Sequence, residues 1–597
     1  MLNPIANRID YGTQLMPPDG YAFKCGIATS FGVDLETLVA ASIALTLDHT
    51  LEGDLSGEKL AFLESLDRLQ GRLLVFYQSG KIKIPSNFNR LFTLLEPLLA
   101  PALPSTAFSS FHPKVWLLRF SSLDEMQPAR FRLLVLSRNL TFDRSWDIAL
   151  TIDGEAVKRG GNTDVRLLEF VRSLPTNATQ IQFVESLCES LDGVSWSLPP
   201  NFDFMQMLPG GPSREGVPAT APLVLEDTYD ELIVMSPFVD ADAQSMLVHL
   251  GKHTSGAKTL ISRADTLDRI GSVALEGWQC HSVPTKIIDG EEYLEQAGAA
   301  RQDLHAKLIV TSRGKVASWH VGSANMTNAA FGTPYGHANP RNTEFMVRLS
   351  GPNKIVGPAR LLEDWQRNAS FEPHEFSAVG DEDSHSNPKL RLLVFALASA
   401  NWVLSATEIE TEVFSVCVTV KPLPNVPPGF TVDIGLLSQA AYQPLAAIMD
   451  WDAIKLTDVS GFIPVEIKAP TLGIHECFAV QAQIDLSLME ARKKAVYKST
   501  VDSPEKVLAY LSALLDTDNS KTRWMGHNTK KVKGSDVFGM DLRGGLYEQL
   551  MRSAARDTRR LERVLLVFER LGLEGAPLPD GLKALLAGFA SQLGGKT

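Results

Sequence analysis

The chain has 597 residues, more than a single apolar core can organise, and is expected to divide into several domains. A hydrophobic content of 44% with 21% charged residues is that of a folded globular protein and excludes a disordered or collagen-like chain. The net charge of −12 excludes a surface that is basic throughout, so contact with nucleic acid would use local patches, and it disfavours docking on an anionic bilayer.

After a lead over 1–20, residues 23–29 read as a short strand, and Ser30-Phe31-Gly32-Val33-Asp34 passes into a helix over 35–47 with Asp34 as its N-cap. A strand at 72–77 and a helix around 91–99 bring the chain to His112-Pro113-Lys114, followed by the apolar run 115–118. After a polar insertion, the apolar run 131–136 leads into Ser137-Arg138-Asn139-Leu140-Thr141. Residues 163–191 read as helical, and 199–222, rich in Pro and Gly, as a connector. The order then repeats. A strand at 231–235, the turn Ser236-Pro237-Phe238-Val239-Asp240, a helix over 241–250 and a strand at 259–262 precede His305-Ala306-Lys307. The apolar runs 308–310 and 316–321 follow, the second delivering Gly322-Ser323-Ala324-Asn325, where Gly allows an unusual turn.

A polar stretch at 380–388 closes the repeated part. Beyond it, runs at 391–396, 412–420, 462–467 and 478–484 read as strands of a small β-sandwich, and from about residue 488 the pattern is helical, most clearly at 504–515 and 546–571. The expected fold class is α/β: two pseudo-symmetric halves, 21–155 and 223–378, joined by a connector at 156–222. A β-rich domain over 389–487 and a helical domain over 488–597 follow.

Of the 12 histidines, only His112 and His305 have Lys at the second position after them, and each is succeeded by a strand-like run and then Ser-x-Asn. Two copies in the same order indicate an internal duplication with one site between the halves. In an extended segment, His and Lys two apart share a face, which sets an imidazole beside an ammonium. Asn139 and Asn325 add neutral amide donors, and the combination suits an anionic phosphate.

These residues resemble the phospholipase D superfamily, whose signature is H-x-K with a downstream Asn, used twice about a pseudo-twofold axis. Its lipid-acting members usually carry an Asp five residues after the Lys, where Arg119 and Ser312 stand here. In that respect, and in S-R-N-L-T and S-A-N-M-T-N-A-A-F-G, residues 20–355 are similar to the tyrosyl-DNA phosphodiesterase branch. The resemblance implies phosphodiester cleavage in DNA without a metal or other cofactor. His112 would be the nucleophile that forms a phosphohistidine, and His305 the acid/base. Lys114, Lys307, Asn139 and Asn325 would hold the non-bridging oxygens. The superfamily also places a carboxylate behind a histidine, a role carried to Glu344 and Asp147, which stand 19 and 8 residues after the two asparagines. Ser137 and Ser323 read equally as hydroxyl donors or as turn residues before Asn. A phospholipase or phosphatidyl transferase is one alternative, for which an interfacial helix or membrane anchor is expected. A non-catalytic module that binds a nucleic-acid end is another.

Two basic clusters lie near the end. Lys521, Arg523, Lys530, Lys531 and Lys533 surround Trp524, either as a cation-plus-aromatic contact for nucleic acid or as a polar loop. Arg552, Arg556, Arg559, Arg560 and Arg563 share one helix face, open either to solvent or to nucleic acid or a partner. By analogy the accessory region points to a larger system, with a helicase or another protein of bacterial genome defence as partner. Both motifs lie in one chain, so a monomer suffices for a site, with dimerisation as an addition.

His320, His337 and His527 read as ordinary loop or core residues. The cysteines Cys25, Cys188, Cys280, Cys417 and Cys477 are scattered and show no C-x-x-C or Cys/His metal spacing, so a reduced cytoplasm and no structural zinc are expected. The first residues carry no basic segment followed by an apolar core, and no run of about 18 apolar residues occurs, so neither export nor membrane insertion is expected.

Overall fold

In the computed structural model, residues 11–500 are described apart from 48–62, 64, 67, 125–126, 142–144, 215, 284–303, 335–337, 369 and 378–386. The apolar runs become strands of two mixed sheets. The first contains β1 (Tyr21–Ser30), β2 (Leu73–Gln78), β3 (Leu99–Ala102), β4 (Val115–Ser122), β5 (Arg130–Leu136), β6 (Ala149–Ala156) and β7 (Val194–Trp196). The second contains β8 (Phe204–Gly210), β9 (Glu231–Met235), β10 (Lys258–Ile261), β11 (Gln279–Ser282), β12 (Leu308–Arg313), β13 (Val316–Gly322), β14 (Glu344–Pro352) and β15 (Glu372–Pro373).

The spatial orders are β3-β2-β1-β4-β5-β6-β7 and β8-β14-β13-β12-β9-β10-β11-β15. Read from their parallel ends, β3-β2-β1-β4-β5-β6 and β11-β10-β9-β12-β13-β14 are the same arrangement: three parallel strands, then three added antiparallel. The duplication is thus in the topology as well as in the motifs. The sheets pack on one shared core, with Ile27, Leu117 and Leu133 from the first and Val310, Trp319 and Phe345 from the second. Strands covered on both faces need near-continuous apolar runs, which is why β4 reads V-W-L-L-R-F and not as a strict alternation.

Several expectations need correction. The helix expected over 241–250 spans only Met246–Lys252, because Ser245 caps it and Asp242 holds the preceding residues in a turn. The expected connector at 199–222 contains β8, which pairs along β14 and completes the second sheet. The run 391–396, expected as a strand, lies in a helix, Pro388–Ser399, capped by Asn387 and buried through Leu393 and Leu397 one turn apart.

Beyond that helix, a four-stranded sheet includes Asn401–Glu410, Val413–Lys421 and Ile448–Lys455, and it shares an apolar core with a six-stranded sheet that includes Thr431–Ile434, Phe462–Ala469 and Ile474–Gln481. The six-stranded sheet continues into the first half: Ala479 pairs with Ile82, and Ile82 with Val33. The helix Leu486–Thr500 returns to the first half and buries Arg492 there. Its guanidinium meets Glu96 twice, at 3.1 and 2.7 Å, and donates to the carbonyls of Val459 and Thr93. Arg492→Met would leave a buried carboxylate unpaired and is expected to cost about 3–5 kcal/mol. The unfolding midpoint of this variant falls, and adding Glu96→Gln recovers part of the loss; an unchanged midpoint in the single variant refutes the assignment.

The helices expected at 504–515 and 546–571, and both basic clusters, lie outside the described residues. Among the described residues, no helix is long and apolar enough to cross a membrane.

Candidate active site

Each H-x-K segment lies just before its strand, β4 or β12. Both lysines are buried, and each ammonium turns back to donate to the carbonyl of its own histidine: Lys114 Nζ to His112 at 3.0 Å and Lys307 Nζ to His305 at 2.6 Å. The segments are also docked across the molecule. His112 N–H donates to the carbonyl of Thr343 at 2.9 Å, and Phe111 pairs with Thr343 as a parallel bridge. In the other half, His305 and Ala306 donate to the carbonyl of Trp146, at 3.0 Å each, and Leu304 pairs with Trp146. Thr343 precedes Glu344 and Trp146 precedes Asp147. Each histidine is therefore seated on the residue before the other half's carboxylate.

That crossing brings His112 Nδ1 to 2.9 Å from Glu344 Oε2. Ser323 donates its hydroxyl to the same carboxylate oxygen and accepts from the N–H of Phe345. The first half repeats the device: Ser137 donates to Asp147 Oδ1 at 3.1 Å and accepts from the N–H of Ile148 at 2.8 Å. Both serines are fully buried, and each spends its hydroxyl on a carboxylate. Gly322 is required before Ser323, since a Cβ there would collide with the carbonyl oxygen of Phe345.

The asparagines are held by two further serines. Ser30 Oγ accepts from the N–H of Leu140, the residue after Asn139, and donates to the carbonyl of Gly32. Ser236 Oγ does the same with Met326, after Asn325, and Phe238. The backbone N–H groups of Asp34 and Asp240 complete the match by donating to the carbonyls of Leu140 and Met326. The repeated turn S-F-G-V-D and S-P-F-V-D is visible in the sequence, whereas the bridging role of its serine depends on the folded half. The side-chain oxygens of Asn139 and Asn325 are buried with no hydrogen-bond partner among the described residues.

Electrostatics join the two halves. Burial pushes Lys114 well below its ordinary pKa, Lys307 lowers it further, and Glu344 and Asp147 oppose both effects. All four groups share one field. Burial also lowers His112, Glu344 works against that, and Lys114 and Lys307 reinforce it. Burial alone would raise the carboxyl of Glu344, but His112, Lys114 and Ser323 more than offset it and keep it ionised. When the imidazole is neutral, Nδ1–H donated to Glu344 leaves the Nε2 lone pair available. Phe31 stands edge-on to the His112 ring at 5.4 Å between centroids. Two buried lysines lie in one field, to which a bound anion would add negative charge.

No family model matches the sequence, and no curated protein matches it. A polyphosphate kinase from Porphyromonas gingivalis is similar in structure over 63% of this chain and 49% of its own, at 12% identity and a TM-score of 0.30. The chain thus spans about half the length of that protein, and a likeness of this degree decides neither family nor activity.

His320 is buried in β13, where desolvation and then Arg348 push its pKa down to about 3, so it is a neutral core residue. His337, His527 and the tail residues Lys521 to Lys533 and Arg552 to Arg563 lie outside the described residues.

Proposed function

We propose that the chain is a phosphodiesterase of the phospholipase D type that cleaves DNA through a phosphohistidine. The observation that carries this reading is the reciprocal docking of each H-x-K segment beside the opposite half's carboxylate, which sets Lys114 and Lys307 in one field. His112 Nε2 attacks phosphorus in line, and the P–N bond forms as the P–O bond to the leaving group breaks. His305, protonated, gives its proton to the departing oxygen. It then takes a proton from water, whose oxygen displaces His112 and releases the phosphoryl product. Lys114, Lys307 and the amides of Asn139 and Asn325 hold the non-bridging oxygens. Asp147 serves His305 as Glu344 serves His112. With a nucleophile and a proton donor both supplied by imidazoles, the step asks nothing of a metal.

DNA is favoured over lipid by Arg119 and Ser312 at the positions where lipid-acting members carry Asp. The test is incubation with labelled single-stranded and double-stranded DNA, RNA and phospholipid vesicles in EDTA. Cleavage of DNA that disappears in His112→Ala and His305→Ala is the expected result. Cleavage of phospholipid alone, or of no substrate, overturns the proposal.

A further inference from the structure

A second cluster of donor atoms lies away from this site, on the solvent face of the six-stranded sheet. Ile474–Gln481 and Phe462–Ala469 are adjacent antiparallel strands in which Cys477 pairs with Glu466 and His475 with Lys468. His475 and Cys477 are two apart in a strand and so share a face, and Glu466 reaches them from the neighbouring strand. The sequence shows only H-x-C, with the third group nine residues earlier, which matches no linear metal motif.

The geometry is a convergence on one atom. His475 Nε2 lies 2.7 Å from Glu466 Oε1 and 3.4 Å from Cys477 Sγ. All three donor atoms are within 4.8 Å of one another. A proton relay from thiol through imidazole to carboxylate would use both ring nitrogens, whereas here the thiol and the carboxylate face the same one. A single N–H can serve only one of them; a cation in place of that proton serves all three. Zinc bond lengths of about 2.0–2.3 Å separate neighbouring tetrahedral donors by roughly 3.3–3.6 Å. The sulfur–nitrogen spacing already fits, and the nitrogen–oxygen pair needs to open by about 0.5 Å. Lys468 Nζ holds the other carboxylate oxygen, Oε2, at 2.6 Å and leaves Oε1 to the cluster.

We propose that Glu466, His475 and Cys477 form a zinc site, with solvent as the fourth ligand. Nitrogen, thiolate and carboxylate donors select zinc over magnesium or calcium. The ion staples two strands of the sheet that runs through Ile82 and Val33 to the loop behind Asn139.

The test uses the full chain, stripped with EDTA and titrated with Co²⁺. A thiolate-to-cobalt charge-transfer band that saturates at one ion per chain and is displaced by Zn²⁺ is expected. Cys477→Ser abolishes the band, and His475→Ala weakens binding by about tenfold or more, with circular dichroism unchanged in both. A folded wild type with no such band, or a Cys477→Ser variant with the same band, overturns the site. DNA cleavage in EDTA is measured separately, so failure of either proposal is distinguishable from failure of the other.

Discussion

Replacing His112 with alanine is expected to lower phosphodiester cleavage by about 10⁴-fold or more, because the proposed nucleophile is gone. Replacing His305 is expected to cost about 10²–10⁴-fold, because a good leaving group can still depart without the acid. The two variants differ in what accumulates. After a denaturing quench at alkaline pH, where phosphohistidine survives, His305→Ala retains label from a substrate with a reactive leaving group and His112→Ala retains none. Label persisting in His112→Ala reverses the assignment. The pH profile is an independent check. The attacking imidazole must be neutral, so activity rises with pH through the pKa of His112, and burial sets that pKa below the ordinary imidazole value. The acidic limb of kcat/KM therefore lies below the ordinary imidazole range. Glu344 raises the pKa of His112, so Glu344→Gln moves the limb further toward acid while the plateau falls about 10–100-fold. A limb that does not move separates Glu344 from the nucleophile.

The parts of this site that are local in sequence were legible there. H-x-K before an apolar run, Ser-x-Asn after the next one and the repeated S-F-G-V-D and S-P-F-V-D turns mark short-range structure, and the two sheets repeat it strand for strand. What was not legible is long-range. The resemblance carried a carboxylate role to Glu344, but nothing near His112 announces that this is the histidine it will sit behind, since that pairing depends on two sheets sharing one core. Ser30 and Ser236 were hidden for the same reason: each acts on a backbone N–H that reaches it only after the half has folded. The 391–396 run failed differently. R-L-L-V-F-A is largely apolar with neither clean period, and Asn387-Pro388 ahead of it is the start signal of a helix. The strand Asn401–Glu410 was missed although Trp402 and Leu404 are buried and alternate with exposed Val403 and Ser405.

The lysines provide the second large effect, because in them stability and function pull apart. Lys114 and Lys307 are buried close enough to depress the ammonium of Lys114, so the ligand-free fold disfavours its charge. Between that lowered pKa and the ordinary one, the unfolded chain binds a proton that the folded chain gives up, so stability rises with pH across the interval. A bound phosphate reverses the situation by supplying the negative charge both ammoniums lack. Inorganic phosphate or vanadate is therefore expected to raise the unfolding midpoint of the wild type, by about 2.7 kcal/mol at a concentration 100-fold above its Kd. Lys114→Met removes both the slope with pH and the stabilisation by anion, and Lys307→Met removes the latter. Each loses about 10²–10³-fold in kcat, the effect of deleting one donor from a preorganised anion site. A protein in which both variants keep the full anion shift binds its phosphate elsewhere, and the shared pocket then fails as the seat of the chemistry.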